Sequence, residues 1–241
     1  MKRKTLAIPI RCVDYSDSSQ VVSLFTSDFG LVDGIAKGAH REKNPFQGPF
    51  DLAVLHEIVF IERRSGLCLL TEAEILDGFR GLRRAWEPYL GACHILELLR
   101  TAAMPFDPAP GLFALAAWAL SSLEARAAPA DAVTSRFDAR ALRILGLLAP
   151  LDACVGCGRS WPGDRAVLVS ARAGGILCAR CRSGAGRSAG GIALPAPAAR
   201  ILQALAEEEE TLGQAEPAGW EDFGKPVSRA LEGLRLNLLS V

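Results

Sequence analysis

The chain has 241 residues, half of them hydrophobic, and its 27 Lys and Arg balance 27 Asp and Glu. That size supports a good core and one or two domains, while zero net charge excludes the global basic field that advertises nucleic acid. No apolar run approaches the roughly 20 residues of a membrane span, and the apolar run after the basic start "MKRK" is too short for a signal peptide, so the expectation is a soluble cytoplasmic protein without a membrane partner.

Residues 5 to 76 read as β-structure. "TLAIPIRCV" alternates through Leu6, Ile8, Ile10 and Cys12, and "QVVSLFT" is β-branched up to the turn "SDFG". "LVDGIAKGA" resumes, its glycines suggesting a bulge or bend. "DLAVLHEIVFIE" puts Leu52, Val54, His56, Ile58 and Phe60 on one face. "RRSG" then turns into "LCLLTEAEIL". Five strands with no helix long enough to cross between parallel neighbours predict a small closed Greek-key barrel.

Helices follow. "DGFRGLRRAW" is a preceding piece, and Pro88 sits in the first turn of "PYLGACHILELLRTA". "PGLFALAAWALSSLEAR" is a second helix. "SRFDARALRILGLLA" is a third, with Phe137, Ala141, Ile144 and Leu148 on one stripe. Late in the chain, "PAPAARILQALAEEEE" and "PVSRALEGLRLNLLS" return to helix, the latter with Val227, Leu231, Leu234 and Leu238 as its apolar face. The acidic run at 207–210 reads as a solvated helix end, and "SGAGRSAGG" as a flexible exit from the segment before it.

Between these helices lie four of the seven cysteines, as two Cys-x-x-Cys pairs: Cys154 with Cys157, and Cys178 with Cys181. Each pair points two sulfurs the same way, and two pairs complete a tetrahedral four-thiolate shell of the kind zinc favours. The spacing is at the upper edge of the zinc pattern. "AVLVSARAGGILC" reads as two short strands around Gly174 and Gly175, which makes the segment a zinc ribbon. A redox dithiol needs only one pair, within a βαβ unit that is absent here, and a disulfide set is disfavoured in the cytoplasm. Four thiolates leave no open position, so one structural zinc per chain is expected. Cys12, Cys68 and Cys93 lie in apolar elements and read as buried and reduced.

The expected fold is therefore α+β: a five-stranded barrel at 1–78, a first helical part at 79–150, a four-cysteine zinc ribbon inserted at 151–191 and a second helical part at 192–241. This order resembles the bacterial RecO family of recombination mediators. "YSDSSQVVSLFTSDFGLVDGIAKGAHREKN" (15–44), "LLTEAEIL" (69–76) and "FDARALRILGLLAPLDACVGCG" (137–158) are similar to that family's barrel segment, its closing strand and the helix that runs into the first cysteine pair. The resemblance implies an OB-fold barrel, binding of single- and double-stranded DNA, strand annealing, and work with RecR and single-stranded DNA-binding protein to load RecA, close to the nucleoid. Two departures are visible. The loop after "KGA" carries His40, Asn44 and Gln47 where the family has more arginine, and the last helix ends "LRLNLLSV" instead of in a basic cluster.

A barrel binds a strand with phosphate-directed cations and base-stacking aromatics. Lys37 and Arg41 are the first candidates, because the family loop matches there, with Lys43, Arg11, Arg63 and Arg64 in support. Ordinary surface cations are the competing reading for each. Tyr15 and Phe46, in expected loops, are stacking candidates. Phe25, Phe50 and Phe60 are core candidates, and His56 is an expected buried or half-buried strand residue. Catalysis finds little support. His40–Glu42 lacks the nearby Pro-Cys-x-x-Cys of a zinc deaminase, His56 lacks the second histidine of a metalloprotease motif, and no G-x-x-x-x-G-K-[ST] occurs. The reading is a non-enzymatic DNA-binding mediator, and the competing one is a zinc-ribbon scaffold for RNA or protein in transcription or translation.

Overall fold

The computed structural model describes residues 1–63, 66–185, 190–207 and 217–239. They pack into two compact units, Met1–Ala125 and Arg126–Val241. The divisions at 78, 150 and 191 expected from sequence follow changes of element type, whereas packing keeps the first two helices with the barrel.

In the first unit, β1 (Lys2–Ser16), β2 (Ser19–Thr26), β3 (Gly30–Ala36), β4 (Leu55–Ile61) and β5 (Cys68–Asp77) close a barrel in the order β1-β2-β3-β5-β4. The long β1 is shared. Lys2–Ala7 pair with β4 and Ala7–Ser16 with β2. Pro9 cannot donate to a ladder. It falls just past the last β4 pair, beside a register shift against β2. The barrel closes where Gly34, Ile35 and Ala36 of β3 run parallel to Cys68, Leu69 and Leu70 of β5. The alternation seen in sequence puts Val22, Leu24, Val32, Ile58, Phe60 and Leu70 in the core. Phe25, Phe50 and His56 are buried as expected.

A 3-10 turn (Arg80–Arg84) leads to α1 (Trp86–Ala102) and α2 (Pro110–Ala125). Their connecting loop returns to the barrel. On its far side from β2, β3 has β5 as partner only from Gly34 onward. Its earlier part is met by the loop instead: Leu31 N–H donates to the Met104 carbonyl at 3.0 Å, Phe106 N–H to the Leu31 carbonyl at 3.3 Å, and Pro105 bridges Gly30. A Cβ on Gly30 would stand 2.2 Å from the Asp107 carbonyl oxygen, and its φ is +60°, so only glycine fits this approach.

The second unit contains α3 (Ala130–Ile144), β6 (Val167–Ser170), β7 (Gly175–Leu177), α4 (Ala179–Ala185), β8 (Ile192–Leu194), α5 (Ala196–Glu207) and α6 (Trp220–Leu239). The three short strands form one antiparallel sheet, β7-β6-β8. The two ribbon strands are those expected, and β8 joins them from beyond the cysteines. Ala132, Ala139 and Leu142 of α3, Leu202 and Leu205 of α5, and Val227, Leu231 and Leu234 of α6 are buried together with the β6 and β8 side chains Val167, Val169 and Leu194 in this unit, and Phe137 of α3 is fully buried as well.

Three expectations change. The third helix stops at Ile144. Gly146 takes φ +71° and Leu147 N–H reaches back to the Leu142 carbonyl at 2.8 Å, a Schellman-type end. Ile144 is therefore exposed, and Leu148 is buried beyond the helix instead of on its stripe. The last helix begins at Trp220, six residues before Pro226, which lies inside it. Gly224 makes room for the Trp220 ring, since a Cβ there would lie 2.6 Å from it. Residues 186–189 of the expected flexible exit and 208–210 of the acidic run fall outside the described residues, as does the side chain of Leu238, while 183–185 form the end of α4.

Candidate metal centre and nucleic-acid interface

Cys154 and Cys157 flank a turn before β6, Cys178 lies between β7 and α4, and Cys181 is in the first turn of α4. Their four sulfurs come within 4.8 Å of one another. Tetrahedral Zn–S bonds of about 2.3 Å give S···S edges near 3.8 Å, and Cys157 Sγ lies 3.9 Å from Cys178 Sγ. The donor set fits one metal ion and is consistent with zinc. Gly158, at φ +68°, completes the first turn, its N–H donating to the Cys154 carbonyl at 2.8 Å. Gly156, in the same turn, faces the second pair closely: a Cβ there would lie 3.2 Å from Cys181 Sγ.

The thiols of the cluster are shifted in opposite directions by their hydrogen bonds. Burial works against charge at Cys154, but backbone hydrogen bonds from Cys178, Gly156 and Cys157 outweigh it and bring the thiol down to about 6. A backbone hydrogen bond from Cys181 comes first in lowering Cys178. Cys181 is pushed up to about 12, chiefly through its hydrogen bond with Cys157. Metal binding displaces the protons these thiols carry, so its affinity falls as pH drops. Of the remaining cysteines only Cys68 is buried as expected; Cys12 and Cys93 are half-buried. Burial first, then the charges of Asp51 and Asp14, drives Cys12 up to about 12.

In the barrel the basic residues divide into paired and unpaired. The N-terminal cluster is paired: Lys2 with Glu72 at 3.1 Å, Arg3 with Glu62 at 3.8 Å, and Lys4 with Glu57 at 2.7 Å. Lys37, Arg41 and Lys43 lie exposed on the single loop that joins β3 to β4, and among the described residues none of them has an ion-pair partner. Arg41 arches over Gly38, its N–H donating to the Gly38 carbonyl at 3.0 Å. The loop is fixed against the β1–β2 turn. His40 N–H donates to the Ser18 carbonyl, and the His40 ring meets Asp14 at 2.9 Å. Asn44 orders the next residues by accepting the N–H groups of Phe46 and Gly48.

Arg11 is exposed on β1 opposite Ser23, and Arg63 is exposed just past β4, on a different element from the loop. Arg64 lies outside the described residues. Phe46 corrects the sequence reading. It is buried and packs its ring 5.7 Å from Phe50, so it belongs to the core and has no free face for a base. Tyr15 lies in strand β1, not a loop, and is 70% exposed.

The architecture is a closed five-stranded barrel followed by helices and a four-cysteine ribbon, and the comparisons agree with it. Residues 1–79 match the family model described as Recombination protein O N terminal, and residues 83–232 match Recombination protein O C terminal. The chain is 35% identical over 179 residues to the DNA repair protein RecO of Rhodopirellula baltica, covering 73% of this chain and 66% of that one. It is 34% identical over 227 residues to the RecO of Anaeromyxobacter dehalogenans, covering 94% and 85%, and 31% identical over 246 residues to that of Geobacter sulfurreducens, covering 94% and 96%. The chain belongs to the RecO family, and its role lies in DNA repair by recombination. No described helix is long and apolar enough to cross a membrane.

Proposed function

We infer that the chain binds single- and double-stranded DNA through its OB barrel and anneals complementary strands without consuming nucleotide. In this reading it acts with RecR and with single-stranded DNA-binding protein to load RecA. The observation that carries the reading is the β3–β4 loop, where Lys37, Arg41 and Lys43 stand exposed and unpaired while the cations of the N-terminal cluster are neutralised. Annealing requires that two strands be held close with their repulsion screened, and phosphate neutralisation does this without regard to sequence. Arg11 and Arg63 extend the surface. The metal centre is structural and holds one zinc ion.

The test follows duplex formation from two complementary strands coated with single-stranded DNA-binding protein, with no ATP present. Acceleration that fades as salt rises is expected. No acceleration at low salt, or acceleration only with ATP hydrolysis, overturns the reading. Replacing Lys37 and Arg41 by Glu should flatten the salt dependence of single-strand binding by about 0.7 per lost phosphate contact, with little dependence on base sequence.

A further inference from the structure

The barrel is not the only place where unpaired cations gather. A cavity of about 430 Å³ opens beside the cysteine cluster in the second unit. Arg159, Arg165 and Arg180 line it together with Trp161, over a floor that includes Val167 and Ile176. Arg159 and Arg180 make no ion pair among the described residues. Arg165 meets only its neighbour Asp164, at 3.8 Å and largely in solvent.

The wall that carries these groups is held in place. Cys154 N–H donates to the Arg159 carbonyl at 2.9 Å, Trp161 N–H to the Asp152 carbonyl at 2.7 Å, and Arg200 Nη1 to the Gly163 carbonyl at 2.8 Å. The Trp161 indole N–H is already used, donating to the Arg165 carbonyl at 2.9 Å. The ring packs partly against the helical core, and what it offers a ligand is the part that lines the cavity.

A metal centre makes its own claim on these cations. Residues 151–191 hold six arginines and two aspartates, a formal +4. A divalent ion in four thiolates contributes −2, so a surplus of +2 remains for a ligand. Guanidinium groups match phosphate geometry, and an indole face beside them stacks a base. An acidic peptide would use the guanidiniums and leave the flat ring without a partner.

We propose that this pocket is a second site for single-stranded DNA, seating one nucleotide with its phosphate among Arg159, Arg165 and Arg180 and its base on Trp161. It rests on the reading of the chain as a DNA-binding protein and adds a contact that the barrel does not supply. A chain with two such sites holds a strand at two separate points, which suits annealing.

The experiment uses the full-length, zinc-loaded chain and a labelled oligo-dT carrying 5-iodouracil. Three forms are compared: the unaltered chain, the barrel variant Lys37→Glu with Arg41→Glu, and the ribbon variant Arg159→Gln with Arg180→Gln. The ribbon variant should keep its zinc and melting temperature, lose affinity several-fold, and flatten the salt slope by about 1.4, which is two contacts at about 0.7 each. Photo-crosslinking should label Trp161 in both the unaltered chain and the barrel variant. Unchanged affinity and slope in the ribbon variant, or crosslinks that avoid Trp161, overturn this site and leave the barrel reading standing. No oligo-dT binding by the unaltered chain overturns both. If a glutamate-rich peptide changes Trp161 fluorescence and oligo-dT does not, with Trp161→Phe as control, the pocket faces a protein and the proposal fails. Should the ribbon variant lose zinc, the crosslink in the unaltered chain decides alone.

Discussion

The barrel and the ribbon are both small β-structures in one chain, and they are held together differently. The barrel buries a contiguous cluster that includes Phe46, Phe50, Ile58 and Phe60, and every strand has two partners. The ribbon strands are four and three residues long, and the apolar cluster on the side of the cysteines consists of Cys154, Leu168 and Leu177. Their other face, with Val167, Val169 and Ile176, is part of the helical core. One fold element stands on its own apolar interior. The other needs a metal on one face and helices on the other.

Removing the metal breaks this comparison most sharply. Chelation, or Cys178→Ser, should abolish amide protection in β6 and β7 and leave β1–β5 protected, because metal-binding free energy of about 10–16 kcal/mol is folding free energy in such modules. Hydrogen exchange reads this region by region. Loss of protection in the barrel as well would show that the two are one cooperative unit.

The opposite experiment is a cavity in the barrel. Phe60 is fully buried, with its ring edge-on to Phe29 at 5.5 Å. Phe60→Ala should cost about 3–5 kcal/mol and leave zinc content at one equivalent per chain by elemental analysis. The close approach at Gly30 comes next. Gly30→Ala should cost at least about 1–3 kcal/mol from its left-handed backbone alone, measured by denaturant unfolding.

The smallest effect is a pH dependence confined to the barrel. Burial first, against a hydrogen bond with the Val54 carbonyl, lowers the pKa of His56 below its usual 6.5. The unfolded chain therefore takes up a proton that the folded barrel resists, so stability is full above about pH 6.5 and falls as pH drops toward the folded value. Barrel amide protection factors, corrected for the intrinsic pH dependence of exchange, should be lower at pH 5 than at pH 7.5, and His56→Leu should flatten that difference.

Alternation made the barrel strands readable, and cysteine spacing made the metal centre readable, because both are periodic or fixed by ligand geometry. Phe46 was not readable. It sits among "HREKNPFQGP", which looks like a solvated loop, and only the turn built on Asn44 folds it back into the core. The end of α3 was missed, although Gly146, whose left-handed turn ends the helix before Leu148, was the signal that could have shown it. The start of α6 was obscured by Pro226, which reads as a first-turn residue and instead lies within a helix that begins at Trp220. The ribbon pocket was also legible in part. The excess of arginine over aspartate in 151–191 is in the sequence, but only the folded loop brings Arg159, Trp161 and Arg165 to one wall with Arg180.

The loop between α1 and α2 has a consequence for how the barrel behaves as an object in solution. A half-paired strand is a template on which another chain can add itself, and residues 104–106 occupy that place on β3. Pro105, which has no N–H to offer, sits in the middle of the cover. A fragment ending at residue 79 would keep all five strands and uncover this edge. Such a fragment should self-associate at concentrations where residues 1–125 remain monomeric, so the helices act as the barrel's built-in guard against polymerisation.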